Sequence, residues 1–306
     1  MTEGKIKIFF NGKDIEGQRK NSVRRISTFL VFDVETVPDT EMIELAGKDK
    51  DREKLEYLRA EQNGEPAAQS AFLQPHFHRI VAVSTLIIKP NEGAHGFDLS
   101  LVSAYGLETS LVRHFWQRFR DAMIVEMPQQ NKEKEEKAPK GPKIIKIYAF
   151  PCLVSFNGKN FDMPAIISRT LKHSESLGIW DRMRIALYHD DFDTWENQST
   201  NYRHRFTKYH MDLCWDLTGA NISLAAACHL AGIPVKTGMD GKDVWKAYQE
   251  GKQREIAEYC AEDVVATAQL FSVWNEVFLG KRFDFPMRED LSGLTPKIVN
   301  LSEQSQ

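Results

Sequence analysis

This sequence predicts an α/β protein, a mixed central β-sheet flanked by helices, on three observations. Apolar runs rich in aromatic and branched residues recur at Phe29–Phe32, Ile80–Ile88 and Leu153–Phe156, the composition of buried strands. Leu111, Phe115, Phe119 and Ala122 repeat at helical spacing, as do Ile256, Cys260, Val264 and Thr267, each set forming the apolar stripe of a covering helix. Strands that alternate with such helices build a layered α/β sheet rather than a sandwich or a bundle.

Composition narrows the class. The 306 residues are 42% apolar and 27% charged, with a formal net charge of −3, as in an ordinary globular protein. No global basic field points to nucleic acid, although acidic metal ligands would mask local basic patches. Cys152, Cys214, Cys228 and Cys260 form no C-x-x-C pair, so neither a structural zinc site nor a disulfide framework is expected. Lys5 and Lys7 interrupt the start of the chain, and no run approaches eighteen apolar residues. The expectation is a cytoplasmic protein without a membrane segment.

In chain order, residues 1–27 are polar and basic, with Arg19, Lys20, Arg24 and Arg25 close together, and are expected to be a flexible arm. Thr28 to Pro38 is the first strand. Glu41 to Gln62 reads as one exposed helix ended by Asn63-Gly64-Glu65-Pro66. The strand at His78–Ile88 turns at Lys89–Gly93 and returns through Phe97–Ala104. A Lys/Glu-rich stretch with two prolines, at about 129–143, is a solvated insertion. One folded unit, 28–285, is expected between the arm and a polar tail at 286–306.

Candidate chemistry begins on the first strand. Asp33 and Glu35 are two apart, so they share a strand face, with Val34 on the other. Side by side they are either two solvated acids at a strand end or a pair held together by a cation, for which hard oxygen donors suit Mg²⁺ or Mn²⁺. In Leu153–Pro164 a strand leads through Asn157-Gly158 to a helix start, with Phe161 pinning the turn against the core. Asp162 there serves as a helix cap, as a metal ligand, or as both. Tyr259 and Asp263 stand four apart on a helix beside a buried stripe, where a carboxylate is costly unless paired or bound to metal.

Together, Asp-x-Glu, Asn-Gly-x-x-Phe-Asp and Tyr-x-x-x-Asp resemble the three motifs of the DEDD 3′–5′ exonucleases in their Tyr subclass. The sequence is similar to the stand-alone family related to the proofreading exonuclease domain of family B DNA polymerases. Supporting stretches are 32–38, 153–158, 238–245 and 259–264, and the resemblance covers roughly residues 28–280. It implies a ribonuclease H-like exonuclease fold for 28–285, with Asp33, Glu35, Asp162 and Asp263 holding two divalent cations and Tyr259 orienting the attacking water or helping to remove its proton. The chemistry agrees: two metals stabilise both the entering and the leaving oxygen of an in-line displacement at phosphorus.

Asn201–His210 interleaves cations with aromatics, the mix that grips a single strand by phosphate contacts and base stacking. Arg203, Arg205 and Lys208 are the candidate contacts there, with Lys242 from the Gly-rich loop at 236–242 and Thr36, Asn157 and Phe161 beside the acids. The leading expectation is removal of 3′-terminal nucleotides from DNA, preferentially single-stranded. One alternative is an exoribonuclease, since recognition of the 2′-hydroxyl is not readable in sequence. The other is a non-catalytic nucleic-acid-binding protein, disfavoured because all four acids and the tyrosine are present.

Overall fold

A computed structural model describes residues 9–10, 13–14, 28–64, 72–91, 96–128, 144–148, 150–189, 202, 209–218, 222–235 and 238–302. The chain begins with a two-residue ribbon, β1 (Phe9–Phe10) and β2 (Lys13–Asp14), inside the segment expected to be an arm. It continues through β3 (Phe29–Pro38), α1 (Thr40–Ala46), α2 (Asp49–Gln62), β4 (His78–Asn91), β5 (Gly96–Gly106) and α3 (Glu108–Met123). A hairpin, β6 (Ile124–Pro128) and β7 (Ile144–Tyr148), flanks the charged insertion, whose residues 129–143 lie outside the described residues. Then follow β8 (Cys152–Ser155), α4 (Asp162–Lys172), α5 (Ile179–His189), β9 (His210–Asp212), α6 (Leu213–Thr218) and α7 (Leu224–Leu230). The last elements are α8 (Val244–Gln249), α9 (Gln253–Val277), α10 (Arg288–Leu291) and β10 (Lys297–Leu301).

Six strands form the central sheet in the order β10-β5-β4-β3-β8-β9. β3, β4 and β5 run antiparallel, while β8 joins β3, β9 joins β8 and β10 joins β5 in parallel, so the sheet is mixed. β3 is central and covered on both faces, which is why Phe29 to Phe32 read as a continuous apolar run and are all fully buried. Phe29 meets Phe271 of α9 at 5.7 Å, and Phe32 meets Phe115 of α3 at 5.4 Å. The expected stripes are the buried faces: Leu111, Phe115, Phe119 and Ala122 on α3, and Ile256, Cys260, Val264 and Thr267 on α9. This is the ribonuclease H-like α/β arrangement, with β3 at its centre.

Two expectations change. The single helix over 41–62 is two helices. Gly47 N–H closes α1 on the Ile43 carbonyl at 2.8 Å, and a Cβ on Gly47 would stand 2.3 Å from that oxygen. Asp51 then accepts from Lys48 N at 3.0 Å and starts α2. The polar tail also supplies structure, because β10 extends the sheet beyond β5. An edge strand needs only one backbone partner, so Ile298, Val299 and Leu301 among polar neighbours carry too weak a pattern to be read in advance.

Candidate active site

β3 presents Asp33 and Glu35 on the face that α9 covers. The β3–β4 register slips between Glu35 and Thr36, a bulge of the kind that re-aims side chains beside functional sites. Across from them, the Cys260 thiol of α9 donates to the backbone and carboxylate oxygens of Asp33, each at 3.4 Å. Donor atoms of Asp33, Glu35 and Cys260 all lie within 4.8 Å of one another. Cys260 belonged to the predicted apolar stripe, and nothing in that pattern signalled a sulfur beside a carboxylate.

Asp162 arrives at the head of α4. Its Oδ1 accepts from Val34 N at 3.1 Å, so the carboxyl is tied to the residue between Asp33 and Glu35. Phe161 occupies the cap position and makes no side-chain cap bond, so Asp162 is the first helical residue rather than the cap. The turn before it depends on two local features. Asn157 adopts φ 65°, and a Cβ on Gly158 would lie 2.4 Å from Ser155 Oγ, leaving room only for glycine. Asp212, at the end of β9, clamps this turn by accepting from Asn157 N at 2.7 Å and Lys159 N at 2.9 Å. Its partners stand more than fifty positions upstream, so nothing local in the sequence marks Asp212. Asp212→Asn keeps one acceptor of the two, and the expected loss is ~1–3 kcal/mol of unfolding free energy in a denaturant titration. A shift below about 0.3 kcal/mol would show that the turn holds without the clamp.

From α9, Asp263 is hydrogen-bonded by the Tyr259 hydroxyl one turn earlier. The four carboxyls share one electrostatic problem. Burial, then Asp162, pushes Asp33 up to about 8. Burial, then Asp33, Asp263 and Asp162, holds Glu35 well above its ordinary value. Asp162 is raised to about 7 by burial and by Asp212 and Asp263, against the bond from Val34. Asp263 rises to about 7 through burial and Asp33, against the bond from Tyr259. Groups that resist ionising together this strongly are the natural neighbours of a cation. The donors fit one chemically: hard carboxylate oxygens for a divalent ion, with a thiol at the margin.

The candidate substrate contacts divide. Thr36 Oγ1 shares a hydrogen with His78 Nδ1 at 2.9 Å. Phe161 does not point into the core as expected; its ring meets His78 edge-on at 5.0 Å and Phe72 at 5.4 Å, and Phe72 is 57% exposed. The polar backbone of the tight turn faces inward to Asp212, which leaves the ring at the rim. Asn157 accepts from the Asn160 side chain at 3.1 Å. Lys242 is exposed and lies 3.5 Å from Asp240. Arg203, Arg205 and Lys208 fall outside the described residues.

The fold is a ribonuclease H-like sheet with acids on and beside its central strand. The chain belongs to the family described as a predicted 3′–5′ exonuclease related to the exonuclease domain of PolB, whose model matches residues 121–281, more than half of its length. The matched segment holds Asp162, Tyr259 and Asp263 and begins after Asp33 and Glu35. No curated protein matches the chain. Membership supports a nuclease that acts on nucleic acid. Among the described residues, no helix is long and apolar enough to cross a membrane.

Proposed function

We propose that this protein is a divalent-cation-dependent 3′–5′ exonuclease that hydrolyses the terminal phosphodiester of DNA, preferring single strands. One observation carries the reading: Asp33 and Glu35 stand side by side on β3, the Asp162 carboxyl is tied to Val34 between them, and Asp263 of α9 lies close enough to raise Glu35 together with Asp33 and Asp162. These four carboxylates would hold two cations, Mg²⁺ or Mn²⁺, which when bound acidify water and neutralise charge on the entering and leaving oxygens. The exonuclease unit is taken as 28–285 together with the edge strand β10. A cytoplasmic location is part of the proposal and accords with four cysteines of which none is in a disulfide.

The chain's own residues supply positioning. Val34 N–H and the Asp212 clamp fix the Asp162 carboxyl, and the Cys260 thiol fixes that of Asp33. Burial, then Asp263 and Glu35, pushes the Tyr259 hydroxyl far above the ordinary tyrosine value, so it keeps its proton. It donates to Asp263, and the role assigned to it is to orient water through its oxygen. Tyr259→Phe should therefore lower kcat by about 10²-fold, the lower end for a positioned proton-transfer group, and leave strand affinity unchanged. A loss below about threefold would remove Tyr259 from the reaction.

The assignment is tested with 5′-labelled DNA and RNA strands, each with Mg²⁺ or Mn²⁺ and with excess chelator. DNA should shorten progressively from its 3′ end only when the cation is present. Digestion from the 5′ end, or digestion that continues in chelator, overturns the assignment. Faster shortening of RNA than of DNA overturns the substrate preference alone.

A further inference from the structure

Beyond the carboxylates, β3 runs into a cleft of 560 Å³ walled by α8 on one side and by α1 and α2 on the other. Its lining includes Val37, Pro38, Arg59, Arg79, Trp245 and Tyr248. None of these residues has a role in the chemistry described above. The volume lies within the range of about 300–1,000 Å³ typical of small-ligand sites, enough for a nucleotide unit.

The cleft lies farther along β3 from the acids. Val37 is two residues beyond Glu35, and Tyr259, Trp245 and Tyr248 all pack against the apolar cluster that contains Val37. Along the strand, Glu35 and Pro38 are about 10 Å apart. Arg79 pairs with Val37 across the β3–β4 ladder and enters the cleft from the β4 side.

Arg79 is held by the scaffold more loosely than Arg169 or Lys172. Asp39, the nearest buried carboxylate, already takes Arg169 at 2.7 Å and Lys172 at 2.6 Å, whereas Arg79 stands 3.8 Å away. A second carboxylate, Glu41, is also at 3.8 Å and is 81% exposed, a pairing worth little in water, and Glu108 adds attraction from farther off. Arg79 also donates to the side chain of Tyr248 on α8. Arg59, exposed on α2 and paired with Glu56 at 2.6 Å, also lines the cleft. A planar guanidinium beside an indole is the pairing that holds a phosphate and an adjoining base together.

We propose that this cleft is a nucleotide subsite that takes the phosphate next to the scissile one on Arg79, with the adjoining base against Trp245. The proposal rests on the exonuclease reading and deepens it, because it assigns a contact one nucleotide away from the reacting bond. That phosphate has two sources: the neighbouring internal linkage of the strand, or a 3′-phosphate on its terminal nucleotide. Glu41, at the mouth, competes with either for Arg79.

The test measures binding of a fluorescently labelled oligothymidylate to the full chain in excess chelator, where no bond is cut. Three strands are compared: unmodified, with a neutral methylphosphonate at the linkage next to the last, and with a 3′-phosphate. The wild type should bind the methylphosphonate strand about 10-fold more weakly if the internal phosphate is read. It should bind the 3′-phosphate strand about 10-fold more tightly if the terminal phosphate is read. Arg79→Gln should bind the unmodified strand about 10-fold more weakly in the first case, and in either case lose the discrimination among the three. Glu41→Gln, an exposed change that leaves the fold alone, should tighten binding a few-fold by removing the competing carboxylate.

The proposal is overturned if the wild type binds all three strands alike, or fails to bind them. It is also overturned if Arg79→Gln, folded by its melting profile, discriminates by the wild-type factor. The exonuclease reading stands or falls separately, on whether the Mn²⁺-loaded wild type shortens the unmodified strand.

Discussion

Asp33→Ala is expected to lower the rate of 3′-end removal by 10³-fold or more, because the carboxylate lost stands beside Glu35 and the Cys260 thiol and interacts with Asp162 and Asp263. Calorimetric titration with Mn²⁺ should show weaker cation binding in this variant, whereas Tyr259→Phe should retain it. Turnover within tenfold of wild type would refute the site. Unchanged Mn²⁺ affinity in an inactive Asp33→Ala would leave Asp33 essential but not a ligand.

The same carboxyl has a stability consequence of opposite sign. In the fold Asp33 is raised to about 8 from an ordinary 3.8, so the folded state binds its proton more tightly than the unfolded chain. Its contribution is full below pH 3.8 and is lost as pH rises toward about 8. Asp33→Asn keeps the shape without the charge, so in chelator at pH 8 it should be more stable than wild type by at least ~1 kcal/mol. At pH 4 the two should agree. An asparagine variant less stable than wild type at pH 8 would mean that Asp33 has a cationic partner even without added metal.

The parts of this molecule legible in sequence are those with a period or a local motif. The Phe29–Phe32 run announces a strand buried on both faces, and it is the centre of the sheet. The stripes of α3 and α9 follow from spacing alone, as does the stacking of Tyr259 on Asp263. Contacts between residues distant in sequence carry no such signal. Asp212 clamps a turn more than fifty residues upstream, Cys260 reaches Asp33 across 227 positions, and Arg169 reaches Asp39 across 130. Each is polar at both ends, and neither end differs locally from a surface or stripe residue. The break at Gly47 was hidden because α1 and α2 share the same charged composition, and composition does not record where one helix stops.

Arg169→Met should cost ~3–5 kcal/mol of unfolding free energy, since it strips one partner from two buried carboxylates at once. Arg169 is 1% exposed and donates Nη1 to Asp39 Oδ2 and Nη2 to Glu108 Oε2, both at 2.7 Å. Asp39 follows β3 and caps α1 by accepting from Met42 N at 3.3 Å. Glu108 opens α3 and accepts from Ile80 N of β4 at 2.8 Å. The guanidinium thus locks α4, whose first residue is Asp162, to the strand that carries Asp33 and Glu35. Methionine fills much of the volume but satisfies neither carboxylate, so packing does not rescue the variant. The pH dependence checks the cause. Burial raises Asp39, but Lys172 and Arg169 outweigh it and bring the carboxyl down to about 2; Glu108 is likewise lowered by His173 and Arg169 against its burial. Folded values below the unfolded 3.8 and 4.5 give stability that is present at neutral pH and lost as pH falls from about 4 toward 2. The penalty of Arg169→Met, read from urea titrations, should therefore be largest at pH 7 and shrink on acidification through that window. A penalty under about 1 kcal/mol at pH 7, or one that grows as pH falls, would mean that α4 is held to β3 by packing and not by this network.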